Sequence, residues 1–123
     1  MELVGSAWTL VSFETETGVI SVAAEAPSTL IFAAEGEQAG RLSGNGGCNR
    51  YFASYTLADD RLSISPIGST RMMCSPDRMV QEDRFFQALS TAERYERSSD
   101  ELLIIYADGT LRFTPAMSHT GEA

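Results

Sequence analysis

Two cysteines are the side chains best suited to chemistry in this chain of 123 residues. Cys48 follows a glycine-rich stretch, and Cys74 stands immediately before Ser75-Pro76. Two free buried thiols and a disulfide are both compatible with these positions. A disulfide would join residues 26 positions apart. In the chain-entropy model such a bridge stabilises a fold by roughly 3–4 kcal/mol. The residues alone leave this choice open.

Catalysis by these or other side chains is not expected. A Cys48 nucleophile would need an imidazole beside it, and the single histidine, His119, lies in a polar tail. The acid pairs Asp59-Asp60 and Glu82-Asp83 fall in a predicted turn and on a predicted solvated helix face. General acid–base catalysis usually requires a desolvated carboxyl group instead. An enzyme that uses Cys48 is therefore the least favoured hypothesis.

Metal and cofactor sites also lack their usual residues. A zinc site needs four ligands, or three and a water, which two Cys and one distant His do not supply. The stretch Gly44-Asn45-Gly46-Gly47 lacks both the Lys-Ser/Thr of a phosphate loop and the spacing of a dinucleotide-binding motif. We interpret it as a tight loop in which glycine permits positive φ and close backbone approach. We expect no metal and no cofactor.

The charge of the chain restricts its partners. The formal net charge is −8, and all nine basic residues are arginine. Nucleic acid is therefore not an expected partner, since phosphate binding relies on clustered positive charge. Residues 41–78 reverse the overall sign, with five Arg against three acids. The longest apolar run, residues 102–107, is far shorter than the ~18–20 residues of a membrane span.

Alternating apolar residues and turn motifs predict a sheet of short strands. Strands are expected at residues 7–13, 28–33, 51–57, 62–65, 94–97, 102–107 and 110–114; residues 19–22 could add a short edge strand, and residues 39–43 lead into the glycine-rich stretch. The first strand carries apolar groups on both sides, with Trp8 and Leu10 opposite Val11 and Phe13. Hairpin-length connections indicate antiparallel pairing.

One helix is predicted from Ser75 as N-cap and Pro76 at the first helical position to about residue 89 or 92. Met79, Phe85, Phe86 and Leu89 would form its apolar stripe, and residues 81–84 its solvated side. The expected fold is α+β, a curved antiparallel sheet of about seven or eight short strands, half-barrel to barrel, with one helix packed on it. Residues 1–123 form a single domain with a core at about 7–114 and a frayed tail at 115–123.

Two cysteine-centred motifs follow one another along the chain, Gly44-Asn45-Gly46-Gly47-Cys48-Asn49-Arg50-Tyr51-Phe52-x-x-Tyr55 and Ser69-Thr70-Arg71-Met72-Met73-Cys74. They are accompanied by Trp8-x-Leu10, Leu62-x-Ile64, Glu82-x-x-Phe85-x-x-x-Leu89, Tyr95 and Leu102-x-Ile104. On these residues the chain resembles the META domain family of the heat-shock protein HslJ type. The match covers essentially residues 8–113. It implies a curved antiparallel sheet wrapped on one helix.

The resemblance also implies a location and a biological setting. Relatives are commonly bacterial envelope proteins, often lipoproteins or secreted domains, linked to stress tolerance, motility or antibiotic resistance without an established enzymatic activity. We therefore expect a periplasmic or cell-envelope location, where the oxidising compartment favours a Cys48–Cys74 disulfide. No signal sequence or lipid-attachment cysteine is visible near Met1. A signal removed before this chain begins would explain that, and a cytoplasmic location is the alternative.

The leading functional hypothesis is a non-catalytic domain that acts by binding an unknown protein or envelope component, as a monomer. Loops held on a rigid sheet commonly carry function. The candidate contact residues are Asn45, Asn49, Arg50 and Arg71; the structural motif comprises Gly44, Gly46, Gly47, Cys48 and Cys74. The alternative is a lipid or apolar ligand in the mouth of the sheet, where Met72, Met73 and Met79 would offer adaptable lining.

Overall fold

The structure, a computed structural model, describes residues 5–22, 27–34 and 39–116. These residues form ten strands and one helix. The strands are β1 (Ala7–Thr15), β2 (Gly18–Ser21), β3 (Thr29–Ala34), β4 (Ala39–Asn45), β5 (Arg50–Ala58), β6 (Arg61–Ile64), β7 (Gly68–Ser69), β8 (Ala92–Arg97), β9 (Leu102–Tyr106) and β10 (Gly109–Pro115). The helix α1 spans Pro76–Ser90. Most of the expected tail, residues 117–123 with His119, lies outside the described residues.

Eight of the strands close into an antiparallel barrel. Around the barrel the order is β1-β3-β4-β5-β6-β8-β9-β10, and β10 pairs with β1 to complete the ring. This confirms the predicted curved antiparallel sheet with one helix. The expected edge strand is β2, which pairs with β1. Two strands were not predicted: β4, whose residues 39–43 were expected only to lead into the glycine-rich loop, and β7, which pairs with β5 and is too short to produce an alternating pattern.

Apolar side chains fill the interior of the barrel. The strands alternate buried and exposed positions, as in β5 and β9, because successive side chains point to opposite faces. The largest side chains with less than 2% exposure are Trp8, Tyr55, Phe13, Phe32, Phe85, Phe113, Leu30, Leu42, Leu62, Leu89, Leu102 and Ile104. The barrel therefore encloses a packed core of side chains.

A β-bulge in β1 corrects the expected placement of Phe13. Leu10 pairs with Phe113 and Ser12 with the preceding residue of β10, so Val11 is an extra residue between them. The bulge shifts the alternation by one position. Phe13 is consequently buried on the same side as Leu10, whereas Val11 is exposed. The prediction that Phe13 lies opposite Leu10 was wrong because alternation alone does not reveal a bulge.

The helix covers one end of the barrel. Phe85 contacts the ring of Tyr51 on β5 and the ring of Phe113 on β10, with centroid distances of 5.7 and 6.3 Å. These two strands are four places apart in a ring of eight and therefore lie on opposite sides of the barrel. A side chain that reaches both must enter across the barrel end. Pro76 begins the helix with Ser75 at the N-cap position, as predicted.

The face that the helix buries differs from the prediction. Its buried residues are Gln81, Glu82, Phe85, Ala88 and Leu89, with a spacing typical of one helix face. Gln81 and Glu82 were expected on the solvated side because their side chains are polar. Both are buried because polar groups satisfy them, those of Cys48 and Asn49 for Glu82 and the hydroxyl of Ser28 for Gln81, as described below. Within the described residues, no helix is both long and apolar enough to cross a membrane.

Arg112 supports the seam at which β10 closes onto β1. Its guanidinium pairs with Glu14 of β1, at 2.5 Å from Nε to Oε2, and also with Glu101. The hydrogen bond from Arg112 lowers the pKa of Glu14 below its ordinary value of 4.5, against a smaller raising effect of desolvation. Because the pKa is lower in the folded protein, the pair stabilises the fold above the unfolded-state pKa. That contribution is lost as the pH falls through the folded-state pKa.

We expect Glu14→Gln to reduce the free energy of unfolding at neutral pH by less than about 1 kcal/mol, since the pair is partly solvated. The difference from the unmodified protein should shrink at acid pH, because protonation of Glu14 then removes the ion pair from the unmodified protein as well. Urea denaturation at both pH values measures this, with the nearby exposed Glu16→Gln as control. A Glu14→Gln effect that is equally large at both pH values would contradict the assignment.

Candidate functional site

A disulfide joins the two cysteine-centred motifs. Cys48 and Cys74 are bonded, with their Cα atoms 6.0 Å apart. The bond ties the end of the glycine-rich loop to the segment that leads into the helix. It matches the disulfide that the sequence resemblance favoured, and neither sulfur is a free thiol in this state.

A buried carboxyl group makes the second connection between the loop and the helix. Glu82 is 3% exposed. Its Oε1 accepts hydrogen bonds from the backbone N–H of Cys48 at 3.0 Å and of Asn49 at 2.5 Å. Its Oε2 accepts one from Nδ2 of Asn49 at 2.9 Å. Three N–H donors thus compensate the loss of water around this carboxyl group, which is the condition for burying it.

Asn49 extends this network to the segment before the helix. Besides its bond to Glu82, Nδ2 donates to the carbonyl of Met72 at 3.2 Å. Its Oδ1 accepts from the backbone N–H of Met72 at 2.6 Å and from Oγ1 of Thr70 at 2.8 Å. All four hydrogen-bonding positions of the amide are therefore occupied within the protein. The Asn49 side chain is 3% exposed and holds three segments together.

The glycines of the loop permit its close approach to its neighbours. A Cβ on Gly46 would lie 2.7 Å from the ring of Phe86 and 2.9 Å from Cγ of Glu82. A Cβ on Gly44 would lie 2.4 Å from the carbonyl oxygen of Thr29, and its φ of +153° also disfavours other residues. The structural role predicted for this loop is consistent with these contacts.

A second polar contact, absent from the sequence-based site, links the same loop to the helix. Gln81 donates from Nε2 to Oγ of Ser28 at 3.0 Å, and Ser28 donates to the carbonyl of Gly46 at 2.8 Å. Gln81 and Ser28 are both buried. The spacing of Glu82, Phe85 and Leu89 was the available indication that this face is buried, since it places the three on one side of a helix.

The remaining candidate contact residues lie at the surface. Asn45 ends β4 and pairs with Arg50, the exposed first residue of β5. The side chain of Asn45 also accepts a hydrogen bond from the N–H of Gly47 at 2.8 Å. Arg71 is exposed on the segment between β7 and the helix. The structure thus groups Asn45 and Arg50 on the outer side of the sheet and places Asn49 inside.

Next to these residues, the outer side of β3, β4 and β5 forms a groove of about 640 Å³. It is lined by Thr29, Ile31, Ser43, Gly44, Asn45, Arg50, Tyr51 and Phe52. Phe52 is 53% exposed, and its ring lies over Gly68, where a Cβ would approach it to 2.7 Å. No group of three His, Cys, Asp or Glu side chains is placed to hold a metal ion within residues 5–22, 27–34 and 39–116.

Comparison with known proteins places this chain in a family. The family model named META domain matches residues 1–118. The chain belongs to the META domain family. An NMR structure of a protein from Burkholderia xenovorans is 31% identical over 93% of this chain and 83% of that one, with a TM-score of 0.77. A second NMR structure, 21% identical over 91% and 90% of the two chains, has a TM-score of 0.67 and shows the same fold. No curated protein matches the chain.

In this META domain, several of the residues that carry the family resemblance join the loop to the helix. Cys48, Asn49, Cys74 and Glu82 form the disulfide and the carboxyl-centred network described above. Phe85 and Leu89 continue the same helix face into the barrel core. The motifs therefore specify how the helix is attached to the barrel.

We expect Glu82→Gln to lower the free energy of unfolding by about 1–3 kcal/mol. An amide must direct its NH2 group either at the two backbone N–H groups or at Nδ2 of Asn49, and neither accepts a hydrogen bond. Asn49 has no free acceptor, because its Oδ1 is held by Met72 and Thr70. Urea denaturation measures the change.

The matched control is Asp83→Asn, which makes the same chemical change at the exposed neighbouring position. It should alter stability by less than about 0.5 kcal/mol. Equal effects of the two substitutions would show that the Glu82 hydrogen bonds contribute nothing specific.

The disulfide generates a separate prediction. Replacing both Cys48 and Cys74 with alanine should destabilise the fold by roughly 3–4 kcal/mol, because the 26-residue loop is no longer closed in the unfolded chain. Thiol titration of the unfolded unmodified protein should detect no thiol without reductant and two after reduction. Two reactive thiols before reduction would refute the bridge.

Proposed function

We propose that this META domain is a non-catalytic binding module of the bacterial cell envelope. Its partner is a protein or another envelope component, and the resemblance connects that binding to stress or antibiotic tolerance. The contact surface comprises Ile31, Arg50, Phe52, Arg71, Met72 and Met73. The disulfide supports an oxidising compartment, since such bonds persist there and are rare in the cytosol.

The observation that carries the proposal is the exposure of large apolar side chains on the contact surface. Ile31, Phe52, Met72 and Met73 are all exposed, and Met73 reaches 85%. They make up half of the large exposed hydrophobic residues in the described part of the chain. Apolar side chains grouped at a surface commonly mark an interaction site. Methionines also adapt their shape to a partner.

The contact surface is continuous because of the pairing beside β5. Phe52 pairs with Gly68 of β7. Thr70 donates its N–H to the carbonyl of Arg50 at 3.0 Å, and the side chain of Asn49 forms hydrogen bonds with the backbone of Met72. Residues 68–72 therefore run alongside the start of β5. The disulfide and the Glu82 network fix both segments, so the surface is presented on a rigid support.

The filled barrel interior argues against the alternative of an apolar ligand held there. Core side chains such as Phe32, Leu42 and Ile104 have no exposed surface. A lipid chain in the interior would have to displace these side chains. Binding on the outer surface requires no rearrangement of this core.

We expect Phe52→Ser and Arg50→Glu each to reduce capture of partners from a bacterial envelope extract by immobilised protein. Arg50→Glu should change stability by less than about 0.5 kcal/mol because Arg50 is exposed, and Phe52→Ser should cost up to about 2 kcal/mol because about half of the ring is buried, over Gly68. Val80→Ser is the matched control, because Val80 on the helix has the same 53% exposure as Phe52. Quantitative mass spectrometry of captured proteins measures the difference. Loss of capture in Val80→Ser and not in Phe52→Ser would contradict the proposed contact surface.

The arginines provide an independent check of their role. Arg50→Ala and Arg71→Ala should leave the free energy of unfolding nearly unchanged, because both side chains are exposed. Thermal or urea denaturation measures this directly. A loss of more than about 1 kcal/mol in either variant would assign that arginine to the fold instead of to a partner.

A further inference from the structure

The groove of the outer sheet runs lengthwise along β4. Its floor consists of small side chains of β4, and its two walls come from β3 and β5. At one rung, Ile31 pairs with Ser43 and Ser43 pairs with Phe52, so two apolar side chains flank a small polar one. Two positions before Phe52, at the start of β5, Arg50 pairs with Asn45. The N–H of Asn45 donates to Oγ1 of Thr29 at 2.9 Å, which sets the opposite wall at this level.

We propose that this groove binds an extended acidic peptide segment of a partner protein. The segment carries an apolar side chain and a carboxylate separated by one residue. The apolar side chain lies between Ile31 and Phe52, and the carboxylate lies opposite Arg50. This inference rests on the proposed function, because it assigns a partner chemistry to part of the contact surface.

The spacing follows from strand geometry. Arg50 and Phe52 are two positions apart in β5, with one residue between them, so they point to the same side of the strand and lie about 6.6 Å apart along it. A bound segment in the same extended conformation has the same rise per residue. Two of its side chains with one residue between them therefore coincide with the two rungs of the groove.

Side chains must provide this recognition, because the backbone of β4 is already paired. β4 forms hydrogen-bonded ladders with β3 on one side and with β5 on the other. A peptide above it therefore has no strand edge to extend, unlike in binding by β-strand addition. Affinity then depends on the apolar rung and on the arginine, and we expect it to be modest.

Charge complementarity favours an acidic segment. β3, β4 and β5 contain two arginines and no Asp or Glu, although the whole chain has a net charge of −8. Arg50 is exposed at the groove. A carboxylate beside it gains an ion pair without facing a like charge on these strands.

The same charges disfavour an anionic membrane as the occupant. A bilayer surface is broad and lies close to much of the protein, so it would be repelled by the acidic remainder of the molecule. A peptide in the groove experiences mainly charges within the Debye length, about 8 Å at physiological ionic strength. The local positive charge thus acts on a peptide more than on a membrane.

The test uses the synthetic peptide Gly-Ser-Leu-Ser-Asp-Ser-Gly, acetylated and amidated at its ends, titrated into ¹⁵N-labelled protein. We expect amide shift changes centred on residues 29–31, 43–45 and 50–52. A peptide with Lys in place of Asp, and another with Ser in place of Leu, should each bind at least about threefold more weakly than the Asp peptide. Added salt should weaken binding of the Asp peptide. The Arg50→Glu variant should bind the Lys peptide more tightly than the Asp peptide.

Equal affinities of the three peptides, shift changes confined to another surface, or no binding at millimolar peptide would each overturn the proposal. Stronger binding to vesicles that contain anionic phospholipid, with the same residues shifted, would overturn it in favour of a membrane. These results are distinguishable from failure of the proposed function. Phe52-dependent capture of an envelope component can persist when the acidic peptide does not bind, and the binding module then has a partner of different chemistry.

Discussion

The burial of one carboxyl group constrains the junction between the helix and the barrel. Glu82 projects from the helix into a region without solvent, so its oxygens must find hydrogen-bond donors within the protein. Two backbone N–H groups of the loop and the amide of Asn49 provide them. Such a set of donors exists only when the loop folds tightly against the helix, which in turn requires glycine at position 46.

The surface features depend on this junction through the start of β5. Asn49 precedes Arg50 directly and also holds Met72, so the same side chain sets the position of both parts of the contact surface. The Cys48–Cys74 bond adds a covalent constraint to the same two segments. Apolar side chains fill the interior, and the proposed binding is therefore assigned to the outer side of the sheet.

The sequence predicted the strands and the helix well because their signals are local. Alternating apolar residues, hairpin turns and the Ser75-Pro76 helix start each require only a few neighbouring positions. It failed where the determinant is a contact between distant segments. Val11 is a bulge because its neighbours Leu10 and Ser12 pair with consecutive residues of β10, and Glu82 is buried because residues 33 and 34 positions earlier donate to it. The burial of Asn49 depends on the same long-range network, so its structural role was not evident from the sequence.

Native-state hydrogen exchange of the Cys48 and Asn49 backbone amides tests the central claim most directly. If the Glu82 carboxyl group fixes the loop to the helix, both amides should exchange only through unfolding of the junction. Their opening free energies should then match those of core helix amides such as Phe85. Exchange of the Cys48 and Asn49 amides as rapid as that of the exposed segment at Met73 would contradict the account.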